Sequence, residues 1–142
     1  MSVTLAAVLR AAVLAMAGLS STQIALAQSP NAGAPMRWEL VSSSPSERIM
    51  INRGLLEATP NGAIFFITVN RMEPTAQGSR YTMARLELDC KSSSYRALKE
   101  WNTSEHGLQG KDLGDLGVFS KDYAAVSSNT NTALAHRAVC AT

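Results

Sequence analysis

Residues 80–90 alternate from one side to the other and end on a cysteine. Thr82, Ala84, Leu86, Leu88 and Cys90 fall on one side, and Tyr81, Met83, Arg85, Glu87 and Asp89 on the other. A period of two demands a pleated strand with one covered face. Cys90 continues the apolar row, so a disulfide from it reaches something that lies on the core side of a sheet. The other cysteine, Cys140, comes directly after residues 133–139. That segment reads as a helix, because Ser127-Ser128-Asn129-Thr130-Asn131-Thr132 offers N-capping side chains ahead of it. Leu134, Ala135, Ala138 and Val139 can form its apolar stripe, and Arg137 suits its negative C-terminal end. The expected structure is mainly β, an α+β arrangement with one C-terminal helix clipped onto the core face of an antiparallel sheet.

The rest of the chain fits this frame. Short apolar runs at 36–42, 47–52, 63–72, 80–90 and 95–101 are separated by Ser43-Ser44-Pro45-Ser46, Thr59-Pro60-Asn61-Gly62, residues 74–79 and Ser92-Ser93-Ser94. Each break holds Pro, Gly, Asn or Ser, as turns require. Residues 63–69 are nearly all apolar, which predicts a central strand buried on both faces. Residues 106–119 hold four glycines and two Leu-Gly pairs. They read as a long connection, followed by a short strand within 118–126.

The N-terminal 27 residues belong to a different class. Arg10 is their one charge, and Ala11 to Leu19 is uninterrupted apolar chain. That run falls well short of the roughly 18–20 residues that span a bilayer. Polar residues follow, then Ala25-Leu26-Ala27, the small-x-small pattern of a signal-peptidase site. Residues 1–27 are therefore expected to be a signal peptide, 28–35 a flexible leader, and 36–142 the folded domain. No later segment reads as a membrane helix. Export to an oxidising compartment allows Cys90 and Cys140 to pair, with roughly 4 kcal/mol expected from closing so long a loop.

Composition narrows the function. Lys plus Arg is 13 against 11 Asp plus Glu, a net charge of +2, which argues against a nucleic-acid binder. Hydrophobic residues make up 46% of the chain, too many for a disordered one. The two cysteines and two histidines would all be needed for one structural zinc, so no metal is expected. His106 and His136 are the available bases, and no G-x-S-x-G accompanies them. Glu87 and Asp89 share a strand face, but Arg85 beside them fits cross-strand ion pairing better than paired-carboxylate catalysis. Cys90 and Cys140 are far from C-x-x-C spacing, so redox catalysis is not expected. Asn102-Thr103-Ser104 matches a glycosylation acceptor, a pattern common by chance. These residues imply no catalytic site and no cofactor. Lys91, Tyr95, Arg96, Lys99 and Trp101 remain as a mixed basic and aromatic strand suited to a macromolecular partner. The bland counterpart is a solvated edge strand guarded by lysine, with Trp38, Tyr95 and Trp101 packing the sheet.

Several ordered motifs carry a family resemblance. They are Trp38-Glu39-Leu40-Val41, Arg48-Ile49-Met50-Ile51-Asn52, Ala84-Arg85-Leu86-Glu87-Leu88-Asp89-Cys90 with Tyr95-Arg96-Ala97-Leu98 after it, and Ala133-Leu134-Ala135-His136-Arg137-Ala138-Val139-Cys140. In this order they resemble the surface-adhesin E family of bacterial envelope proteins. The resemblance implies a six-stranded antiparallel sheet with the C-terminal helix held to its concave face by the disulfide. It also implies a non-enzymatic binding role, with host matrix or serum proteins such as laminin and vitronectin as partners. The alternative is a periplasmic accessory protein that meets another envelope protein. The chain lacks a cysteine after the apolar run, so lipid anchoring is not implied. It also carries Tyr123 and Val126-Ser127-Ser128-Asn129 where the family often has Trp and Pro-Gly-Ser. The expected location is the periplasm or the cell surface.

Overall fold

The alternation in residues 80–90 becomes the spine of the molecule. The computed structural model describes residues 36–117 and 120–141; the expected signal peptide and leader lie outside the described residues. Among the described residues, seven strands form one sheet: β1 (Trp38–Ser43), β2 (Glu47–Asn52), β3 (Glu57–Thr59), β4 (Gly62–Arg71), β5 (Tyr81–Asp89), β6 (Ser94–Thr103) and β7 (Ala124–Ala125). A continuous path of six, β1-β2-β4-β5-β6-β7, is antiparallel throughout. The three-residue β3 pairs off this path against β4. A helix, α1 (Asn131–Cys140), closes the chain.

β2 and β3 lie end to end along the same edge of β4. Glu47 to Ile51 face Arg71 to Ile67, and Glu57 to Thr59 face Ile64 to Gly62. Residues 53–56 loop out between them. This interruption, which the run pattern did not reveal, places one side chain on each face of the sheet. Arg53 reaches the helix, where its Nη2 donates to the Ala138 carbonyl at 2.7 Å. Leu55 reaches the opposite face.

The core lies between the sheet and α1. Ile49, Ile51, Phe65, Ile67, Val69, Leu86 and Leu88 are buried there with Ala135 and Val139 of the helix. Thr130 caps the helix, its side chain accepting from the Ala133 N–H at 3.1 Å. The helix therefore starts at Asn131, two residues before the expected point. Cys90 and Cys140 form the expected disulfide, with 5.5 Å between their Cα atoms.

Two expectations are corrected. β4 is not covered on both faces by other elements. Ala63, Phe65, Ile67 and Val69 are buried toward the helix, while Ile64 and Phe66 are half-buried on the other face. That outer face carries only the short 3-10 turn His106–Leu108 among the described residues, at the Asn70 end. The apolar run is instead shielded by Met50 and Met83, which flank Thr68 in register. Nor is β6 an open edge. Beyond its pairing with β7, it bonds to the Gly-rich connection through Ser104 N to Lys111 O, Leu113 N to Asn102 O and Ala97 N to Ser120 O. The glycines let that connection turn back on itself. A Cβ at Gly110, where φ is +75°, would lie 2.4 Å from Ser104 Oγ.

Candidate functional site

The outer face is built by the other half of each alternating strand. Leu40, Met50, Thr68, Met83 and Trp101 form one cross-strand row. In the neighbouring row Trp38 pairs with Asn52, and Phe66 with Arg85 and then Lys99. Together with Leu55 from the loop and Met36, the residues Trp38, Asn52, Phe66, Met83 and Trp101 line a groove of about 260 Å³. The Phe66 and Trp101 rings meet at 6.3 Å in a tilted arrangement.

Asn52 lies beneath the groove, whose exposed lining is wholly apolar. It is completely buried. Its Oδ1 accepts from three backbone N–H groups, those of Arg37 at 3.2 Å, Gly54 at 3.0 Å and Leu55 at 3.2 Å. Three donors on one atom fix which way the amide faces. Its Nδ2 is buried and has no hydrogen-bond partner among the described residues. Leaving such a donor unsatisfied costs about 1–3 kcal/mol.

Charge on this face is mostly paired. Arg85 meets Glu57 at 3.0 Å and Arg96 meets Glu87 at 2.6 Å. The Glu87 hydrogen bond raises the pKa of Arg96, whose guanidinium lies 4.8 Å from the centre of the Tyr123 ring. Lys99 is in no ion pair among the described residues, and its Nζ lies 5.0 Å from the centre of the Trp101 ring, a cation–π position. Further along, Arg48, Met50, Asn70, Met72 and His106 line a second depression of about 340 Å³.

The candidate strand from the sequence is divided by this geometry. Lys99 and Trp101 come together at the groove. Arg96 shares their face but is tied to Glu87. Tyr95 points the other way, opposite Leu88, and packs against the core. Lys91 is exposed in the β5–β6 turn, where its N–H and that of Ser92 donate to Asp89 Oδ1. The apolar members Phe66, Met83 and Leu55, and the orphan donor of Asn52, were not among the candidates. Met83 was visible as an apolar intruder on the charged side of the β5 alternation; Asn52 and Leu55 carried no such signal.

The other motifs separate. His106 Nδ1 sits 3.2 Å from Asn70 Oδ1 at the end of the outer face, whereas His136 belongs to α1 on the core side. Glu87 and Asp89 share a face as expected, and Glu87 is held by Arg96. Asn102 of the glycosylation pattern is fully buried. It bonds Thr82 Oγ1 at 2.6 Å and the Gly114 carbonyl at 2.8 Å, which closes it to modification in the folded chain.

No family model matches the chain, and no curated protein matches it in sequence. Among solved structures, the fold is similar to crystal form II of Haemophilus influenzae protein E. The TM-score is 0.50 at 14% sequence identity, over 76% of this chain and 97% of that one. At this identity the likeness is one of fold. It agrees with the sheet-and-helix architecture that the sequence resemblance implied.

Proposed function

We propose that the protein is an exported binding module of the bacterial envelope that contacts another macromolecule through its outer sheet face and catalyses nothing. The observation that carries this reading is the open apolar groove with an unpaired lysine beside it. A sheet face that, among the described residues, is left uncovered and displays Trp38, Phe66, Met83 and Trp101 has the aromatic and methionine content of an interface centre. The fold likeness to protein E and the motif resemblance to surface-adhesin E proteins support adhesion to host matrix or serum proteins as its most specific form. The non-catalytic part is supported by the separation of His106 from His136 across the sheet and by the engagement of both cysteines with each other.

The test is capture. Purified protein is offered immobilised laminin, vitronectin and fractionated bacterial envelope, alongside a variant with Lys91, Arg96 and Lys99 all changed to Ala. Binding to a host protein that falls in the variant supports adhesion through this face. Binding to an envelope component alone moves the assignment to a periplasmic accessory role. Turnover of a substrate that is lost on changing His106 or His136 overturns the non-catalytic assignment.

A further inference from the structure

We infer that the groove receives one large apolar side chain from an acidic peptide segment of the partner. The inference rests on the binding-module reading and names the chemistry of its partner.

Two observations converge on this occupant. The first is size. A volume of about 260 Å³ is below the roughly 300–1,000 Å³ of pockets that enclose drug-sized ligands. It suits a single anchor side chain, and its lining of Trp38, Leu55, Phe66, Met83 and Trp101 is apolar. The lining exposes no polar surface, so a sugar, which needs many polar partners, is a poor occupant. The second is charge. On the outer face Glu57 and Glu87 are paired with Arg85 and Arg96, and the Asp89 carboxylate accepts from the Lys91 and Ser92 N–H groups in the β5–β6 turn, while Lys99 at the groove and Arg48 beside the second depression are in no ion pair among the described residues. The unspent charge near the groove is therefore positive and favours carboxylates flanking the anchor.

The probe is the capped peptide N-acetyl-Asp-Phe-Asp-amide, titrated into isotopically labelled protein and followed by nuclear magnetic resonance. The indole N–H groups of Trp38 and Trp101 should shift saturably, with a Kd on the order of 1 mM. Replacing Phe by Gly in the peptide should abolish the shift. Replacing both Asp by Lys, or changing exposed Lys99 to Glu, should weaken binding by about threefold or more. Equal binding of the Gly peptide, tighter binding of sodium decanoate than of the Phe peptide, or no shift at Trp38 and Trp101 overturns the inference. The two levels fail separately. Macromolecular capture that is unchanged in Lys99→Glu and Met83→Glu, with no peptide shift, overturns the groove and leaves the binding module in place. Loss of all capture by the unmodified protein overturns the module itself.

Discussion

Gly62 opens β4 opposite Asp89 at the end of β5, and a Cβ there would lie 2.1 Å from the Leu88 carbonyl oxygen. The obstacle is backbone, which no rotamer can move. Gly62→Ala should therefore destabilise the fold by about 1–3 kcal/mol, the usual cost of overpacking, and a urea melt against the parent protein measures it. The sequence advertised this glycine as part of a turn, and the turn is there; the close approach depends on a strand far along the chain and had no local signal. Two carboxylates tie stability to pH. The hydrogen bond from Arg53 holds the Glu39 carboxyl below its ordinary pKa, and the Ser92 and Lys91 N–H groups do the same for Asp89. A carboxylate with a lowered folded pKa contributes stability that is present above its unfolded pKa and lost as pH falls through the folded one. The melting temperature should thus drop as pH is lowered below about 4. The gap between parent and Asp89→Asn should narrow over the same range, and thermal melts at a series of pH values test both. A gap that stays constant into strong acid would remove Asp89 from the account.

The helix shows how an element is held when its own propensity is modest. α1 has ten residues, shorter than isolated helices that persist in water. It depends on the Thr130 cap, on Ala135 and Val139 in the core, and on two tethers at its C-terminal end, Arg53 to the Ala138 carbonyl and the bond to Cys90. Opening the disulfide frees a loop with a sequence separation of 50, for which the chain-entropy model gives about 4 kcal/mol. Cys90→Ser should accordingly cost about 2–5 kcal/mol, and the first amides to lose hydrogen-exchange protection should be those of α1. Unchanged thermal stability would make the clip irrelevant to the fold. Much of this element was legible beforehand, because capping residues, a short apolar stripe and a terminal cysteine are all local. The β2–β3 interruption was not. Residues 53–56 have neither period nor proline to mark them, and their conformation is set by what they reach, Ala138 through Arg53 and the outer face through Leu55. The apolar run of β4 misled for a related reason. Period alone cannot distinguish a strand covered by a second layer from one whose outer side chains shelter among their cross-strand neighbours.

The whole molecule is a sheet with two apolar faces of different purpose. One is closed by α1 and the disulfide, and the other holds the groove. Positions close together in β5 should therefore respond differently to the same change. Leu86 is fully buried beneath the helix, while Met83 is half-buried and lines the groove. Leu86→Ala removes packed core volume and should destabilise by about 2–5 kcal/mol. Its effect on peptide binding at the groove should be small while the protein stays folded. Met83→Ala opens a site that already faces solvent, so its stability cost should stay below about 1.5 kcal/mol. It also removes a wall of the groove and should weaken the Phe peptide several-fold. Paired urea melts and peptide titrations on the two variants at low temperature test this division. The division fails if Met83→Ala costs as much stability as Leu86→Ala and leaves peptide affinity intact. The outer face would then be a second core wall whose aromatic residues serve packing alone.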